Sequence, residues 1–162
     1  MHRIIQAVAE PAISQVRELF REYGSLPGVT PCIQDFEIET ASLPGPYGPP
    51  AGALFLALSE RPGSDDESIG CAGLRRLEDG ICEMKRLYVR PSHRGTGAGR
   101  SLVQALIAQA RGMGYLAMRL DTLPAMREAQ ELYRRLGFVE ILPYLTSPTP
   151  NALCFELALI QT

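Results

Sequence analysis

The order of elements along this chain predicts an α/β (α+β) domain built on one mixed sheet. Two observations carry that expectation. Short β-type runs and amphipathic helical stretches interleave from end to end, and near the middle a hairpin leads through a glycine-alternating loop into a helix. The chain has 162 residues, the size of one ordinary domain, so a single domain over 1–162 is expected.

Taken in order, His2–Val8 alternates loosely and reads as a first strand. Glu10-Pro11 then breaks the pattern, and Ala12–Tyr23 follows with Ile13, Val16, Leu19 and Phe20 at helical spacing. Gly24–Pro31 reads as a turn region and Gln34–Ser42 as a short helix carrying Asp35, Glu37 and Glu39. Leu43–Gly52 is a Pro/Gly-rich loop that cannot continue a regular element. Ala53–Leu58 is apolar throughout, as a buried strand would be. After the polar loop Arg61–Glu67, Ser68–Leu77 and Ile81–Val89 read as strands joined by the Asp79-Gly80 turn, a strong hairpin signal.

A helix follows Gly99 through about Met113, with Leu102, Val103, Leu106, Ile107 and Ala110 as its apolar stripe and Gly112 and Gly114 at its end. Tyr115–Thr122 is a further strand. Pro124 is placed to open the helix Ala125–Leu136, which Gly137 closes. Phe138–Leu142 and Ala152–Leu159 complete the strands, separated by Pro143–Pro150.

Composition narrows the function classes. Apolar residues make up 46% and charged residues 21%, enough for one core, and 16 basic against 18 acidic residues give a net charge of −2. No basic excess calls for nucleic acid or a membrane surface, and no run approaches the ~20 apolar residues of a span. Cysteines 32, 71, 82 and 154 form no CxxC pair, which argues against a metal site. They are expected to be four reduced thiols in a cytoplasmic protein.

The chemistry points to Arg94-Gly95-Thr96-Gly97-Ala98-Gly99-Arg100, where a strand turns into a helix. Glycines let the backbone curl without Cβ obstruction, and the first N–H groups of a helix lack intrahelical partners at the positive end of its dipole. Together they suit a phosphate or diphosphate, with Arg94 and Arg100 adding charge. A Walker A loop would need a lysine, absent here, and a dinucleotide loop would run GxGxxG instead of GxGxG. Alone, the loop is equally consistent with a plain tight turn.

Two stretches in the right order make the reading specific. Arg94–Gly99, following Met84-Lys85-Arg86-Leu87-Tyr88-Val89, is similar to the coenzyme-binding signature Gln/Arg-x-x-Gly-x-Gly/Ala of the GCN5-related N-acetyltransferase (GNAT) superfamily. Ala129-Gln130-Glu131-Leu132-Tyr133-Arg134-Arg135-Leu136-Gly137-Phe138 resembles that family's A-x-x-L-Y-x-x-x-G-F helix end. The resemblance covers about residues 68–142. One departure is Met126, where many members carry an asparagine.

The resemblance implies a mixed, mostly antiparallel sheet of six to seven strands with its central strands splayed, flanked by about four helices. It implies acetyl-CoA as co-substrate, with the backbone of Leu87, Tyr88 and Val89 along the pantetheine arm. The diphosphate would lie on the N–H groups of Gly95, Thr96, Gly97, Ala98, Gly99 and Arg100, beside Arg94. Tyr133 would be the general acid toward the departing sulfur, and a backbone N–H near Val89 would polarise the thioester oxygen. Because an amine must lose a proton to react, a base is needed, and Glu83 is the candidate, acting directly or through water.

Strict alternation puts Glu83 on one face with Lys85, Leu87 and Val89, an odd mixture that a β-bulge would reset. Asp121 reads as a turn or cap acceptor, and Met113, Met118 and Met126 as packing residues. The amine acceptor would sit between about Gly24–Gly52 and Pro143–Asn151. There Asp35, Glu37 and Glu39 would attract a cation and Phe36, Tyr47 and Tyr144 would form apolar walls. A small molecule is favoured over a protein N-terminus or lysine. A non-catalytic acetyl-CoA sensor stays an alternative, and a homodimer stays open.

Overall fold

A computed structural model describes residues 1–29, 36–144 and 151–160. Cys32, Asp35, the start of the helix expected from Gln34 and nearly all of Pro143–Pro150 lie outside the described residues. Seven strands form one sheet: β1 (His2–Gln6), β2 (Ala53–Ser59), β3 (Glu67–Glu78), β4 (Ile81–Val89), β5 (Ala117–Thr122), β6 (Val139–Ile141) and β7 (Leu153–Ala158). The spatial order is β1-β2-β3-β4-β5-β7-β6. Among the described strands only β4 and β5 run parallel, and α3 (Ala98–Gly112) makes the crossover between them. The other helices are α1 (Ala12–Gly24), α2 (Phe36–Ala41) and α4 (Arg127–Arg135). This is the mixed, mostly antiparallel sheet with four helices that the sequence and its family resemblance lead one to expect.

Two cores explain the apolar patterns. On one face α3 and α4 cover Ala53, Phe55, Ala57, Met84, Met118 and Leu120; on the other α1 and α2 cover Leu54, Leu56, Leu58 and Cys71. The β2 run is apolar at every position because its odd residues serve one core and its even residues the other. The stripes read from the sequence are the buried ones: Ile13, Val16, Leu19 and Phe20 on α1, and Leu102, Val103, Leu106, Ile107 and Ala110 on α3.

Some local expectations need correction. Pro124 does not open α4, which begins three residues later at Arg127 with Met126 as its uncapped N-cap. Buried Gln130 reaches back instead, its Nε2 donating to the carbonyls of Leu123 (2.9 Å) and Pro124 (3.2 Å), so a side chain holds the loop that proline alone would have ended. The Pro/Gly-rich stretch contains a 3₁₀ turn at Gly45–Tyr47 that buries Tyr47. The Tyr47 ring lies where a Cβ on Gly73 would be, within 2.9 Å. Cys71, Cys82 and Cys154 are free and buried, and burial pushes the Cys82 thiol up to about 12.

The end of β4 is tied to α1 by one carboxylate. Glu22 accepts from Arg90 Nη2 at 2.7 Å and Nε at 3.0 Å and from the Tyr88 hydroxyl at 3.2 Å. Arg90 Nη1 also donates to Ser68 O at 2.7 Å. Hydrogen bonding from Arg90 holds the Glu22 carboxyl below the usual range. Its stabilisation is therefore present above the unfolded carboxyl's pKa and is lost as pH falls through the folded one. Because the pair is partly solvated, Glu22→Gln should cost no more than about 1 kcal/mol, or roughly 1–3 °C in Tm at pH 7. In thermal melts that gap should close as the pH drops below about 4.

Candidate active site

The loop after β4 is shaped by its glycines. Gly95 (φ +77°) and Gly97 (φ +90°) both adopt the left-handed region, and Gly97 is the N-cap of α3. No side chain caps this helix, and Ser101 N–H, bonded to Gly97 O at 3.0 Å, is the first in it to find a carbonyl. A Cβ on Gly95 would meet nothing within 4 Å, and one on Gly97 only His2 Cε1 at 3.9 Å. Gly95 and Gly97 thus leave their Cβ sides open just before α3. Two side chains fix the loop: Thr96 Oγ1 donates to His93 O (2.6 Å), and Arg94 Nε to Val89 O (3.1 Å). Ala98 is buried, whereas Arg100 remains exposed.

Beside this loop the sheet opens. β4 and β5 pair only from Ile81 to Glu83 against Ala117 to Arg119. Beyond Glu83 they diverge, leaving a β5-facing edge of β4 with no strand beside it among the described residues. The opening is a cleft of about 140 Å³, lined by Met84–Leu87 on β4, Leu120–Leu123 after β5, and Met126, Ala129 and Tyr133 around α4. Tyr23 and Val29 close it from the α1 side.

A bulge sets which side chains face that cleft. Across β3 and β4, Cys71 pairs with Tyr88 but Gly73 with Lys85, so β4 carries one extra residue, and Arg86 takes φ +61°. Before the bulge Met84 faces α3 while Glu83 and Lys85 lie on the opposite face of the sheet; after it Leu87 and Val89 face α3. Strict alternation, which groups Glu83 with Leu87 and Val89, therefore fails at Arg86. The Tyr88 side chain packs toward α1 and bonds Glu22, and its main chain faces β3, paired with Cys71 as Arg90 N–H is with Ile69 O, so Tyr88, expected along the pantetheine arm, offers the open edge neither.

Of the two residues expected to carry chemistry, Tyr133 lines the cleft and Glu83 does not. Tyr133 is 5% exposed against Phe138 and Phe155, and burial, with the charge of Asp121 adding to it, raises its hydroxyl above the ordinary range. Glu83 is fully buried. Its Oε1 accepts from Arg75 Nε (2.9 Å) and Nη2 (2.8 Å), and its Oε2 from the Tyr144 hydroxyl (2.5 Å). Lys85 Nζ lies 3.9 Å from Glu83 and 3.3 Å from Asp121 Oδ1. Burial, and then the Glu83 charge, raise the Tyr144 hydroxyl.

Sequence reasoning undervalued three residues here. Asp121, read as a turn or cap acceptor, lines the cleft with its only described partner Lys85. Arg86 lines it too, between the rings of Tyr23 (5.8 Å) and Phe36 (5.2 Å). Met126, read as a packing residue, lines the cleft, its Sδ accepting from Thr122 Oγ1 at 3.7 Å. Asp121 has its place near the end of β5 as a sequence signal and Met126 its place where many family members carry an asparagine, whereas Arg86, inside β4, has none. The expected acceptor walls also differ. Glu39 is committed to Arg86 (3.0 Å) and to the Tyr47 hydroxyl (2.8 Å), Phe36 and Tyr47 are core residues, and Glu37 is exposed on α2. Tyr144 bonds Glu83 instead of forming an apolar wall.

Two central strands parted beside an uncapped, glycine-rich helix start are the features that the family resemblance leads one to expect. Comparison with known proteins makes the assignment specific. Residues 15–138 match the model of the acetyltransferase (GNAT) family, and the chain belongs to it. An uncharacterized N-acetyltransferase of Schizosaccharomyces pombe is 36% identical over 94% of this chain and 93% of its own length. A GNAT-family acetyltransferase of Staphylococcus aureus superimposes with a TM-score of 0.81 at 19% identity, covering 99% of this chain and 100% of the other. The yncA protein of Salmonella typhimurium, solved with acetyl-CoA as its cofactor, superimposes at 0.72 with 20% identity over 100% and 96%.

The Glu83 ion pair makes a stability prediction. Arg75→Met leaves a buried carboxylate short of its main cation and should cost about 2–3 kcal/mol in urea unfolding. Arg75→Met/Glu83→Met, which removes both charges, should be more stable than Arg75→Met alone.

Proposed function

We propose that this chain transfers an acetyl group from acetyl-CoA to a primary amine by direct attack in a ternary complex, with a small molecule as acceptor. The observation that carries the reading is the pairing of an uncapped α3 start with a strand edge that opens where β4 and β5 part. The residues present fit the coenzyme. N–H groups of Gly95, Thr96, Gly97, Ala98, Gly99 and Arg100 would hold its diphosphate, Arg94 would add charge, and the backbone of Leu87 and Val89, which faces away from β3, would bond its amides. Bound acetyl-CoA supplies an activated acyl group, whose C–S bond breaks as the new C–N bond forms.

The chain's own groups handle the protons. Tyr133 stays protonated at neutral pH, since burial raises its hydroxyl, and it stands in the cleft as donor to the departing sulfur. For the amine's proton the geometry favours Asp121 over Glu83. Asp121 lines the cleft with one oxygen bonded to Lys85, whereas Glu83 is sealed by Arg75 and Tyr144 and reaches the cleft only through Lys85. In this reading Glu83 is a positioning carboxylate: it holds Lys85 and Tyr144 in place. A main-chain N–H near Val89 polarises the thioester oxygen.

Two measurements test the proposal. CoA release over a panel of primary amines should fall about a hundredfold or more in kcat for Tyr133→Phe and for Asp121→Asn, with acetyl-CoA affinity held, whereas equal kcat would remove both roles. Gly97→Val forces a β-branched residue to φ +90° at a cost of about 1–3 kcal/mol, with room for its Cβ, and obstructs the diphosphate. It should remain folded by circular dichroism and lose acetyl-CoA binding by calorimetry. Undiminished affinity would count against the loop as the coenzyme site.

A further inference from the structure

Resting on the acetyltransferase reading, the cleft also says what kind of amine it takes. The β4 bulge turns two consecutive residues, Lys85 and Arg86, toward the α1–α2 face, which a regular strand cannot do. Arg86 accepts a left-handed backbone for this, a conformation that is uncommon away from glycine and that concentrates at functional sites.

Its guanidinium is then immobilised. The side chain is 13% exposed and lies against the rings of Tyr23 and Phe36, and its Nε donates to Glu39 Oε2 at 3.0 Å. Glu39 is itself fixed by the Tyr47 hydroxyl at 2.8 Å. Beyond Nε a guanidinium has four more N–H donors in a planar fork that suits a carboxylate.

Across the same cleft stands the opposite charge. Asp121 is 17% exposed and its Oδ1 receives Lys85 Nζ at 3.3 Å, while Lys85 is also drawn toward Glu83. Tyr133, the proposed proton donor, lines the cleft with them. A cleft of about 140 Å³ thus presents two ion pairs, Asp121 with Lys85 and Arg86 with Glu39, in which Asp121 keeps a second oxygen and Arg86 further N–H groups beyond those its partner takes. The complement of Asp121 and Arg86 is one small molecule with an ammonium at one end and a carboxylate at the other.

We propose that the acceptor is an α-amino acid or a close zwitterionic analogue, its amino group toward Asp121 and Tyr133 and its carboxylate on Arg86. This assigns Arg86 as a specificity-determining residue.

The test uses the intact protein with acetyl-CoA, following CoA release with the twenty α-amino acids, their carboxamides and their decarboxylated amines. For the side chain turned over best, the free amino acid should exceed both analogues in kcat/KM by about ten- to a hundredfold, the worth of a charged hydrogen bond. Arg86→Gln should shrink that ratio toward one. Should this variant fail to fold, the wild-type ratio alone decides.

A carboxamide or simple amine that serves as well as the amino acid overturns the proposal and leaves the acetyltransferase reading standing. So does a ratio that Arg86→Gln leaves unchanged in a folded protein. Failure of acetyl-CoA to bind at all, measured by calorimetry, overturns the underlying reading instead.

Discussion

One inserted residue in β4 organises the site. Without the extra step between Lys85 and Tyr88, the strand would keep a single alternation, and Leu87 and Val89 would lie on the face of Glu83 and Lys85. With it, the apolar residues beyond the insertion join the α3 core, while Lys85 and Arg86 both turn toward α1 and α2. The same stretch of β4 is where pairing with β5 stops. Bulge and splay together convert the middle of a closed sheet into an open edge with charged groups on one side and an apolar core on the other.

The charges around that opening are arranged as pairs that share members. Arg75 and Tyr144 satisfy Glu83, Lys85 stands between Glu83 and Asp121, and Glu39 holds Arg86. Buried charge of this kind contributes little net stability, because desolvation offsets much of the attraction. Its physical effect is orientation: each side chain is left one geometry in which its donors or acceptors are met. The fully buried Glu83 and the cleft-lining Asp121 are one lysine apart, yet one is sealed and the other faces the space where substrate would lie.

The fold surrounding the site is robust for ordinary reasons. Each face of the sheet is covered by helices whose apolar stripes recur at helical spacing, and β2 is buried from both sides. Glu22, bonded by Arg90 and Tyr88, anchors the end of β4 to α1 just before the loop that opens α3. The loop can therefore leave its N–H groups without internal partners while its ends stay fixed.

Much of this was legible in the residues themselves. Period-2 and period-3.6 patterns, the Asp79-Gly80 turn and the glycines before α3 mark all seven strands and the principal helices, because those signals are local. The glycine loop and the A-x-x-L-Y-x-x-x-G-F-like helix also pointed to the family. What the tertiary structure decided was non-local. A bulge is set by pairing with β3, and the mixed face of Glu83, Lys85, Leu87 and Val89 raises one without placing it. The burial of Glu83, the cleft position of Asp121 and the commitment of Glu39 to Arg86 depend on partners far along the chain, which one-dimensional spacing does not encode. The sequence by itself determined the elements and the glycine-rich turn that opens α3. Only packing decided which carboxylate and which cation reach the cleft, because that choice rests on which neighbours already occupy their oxygens and donors.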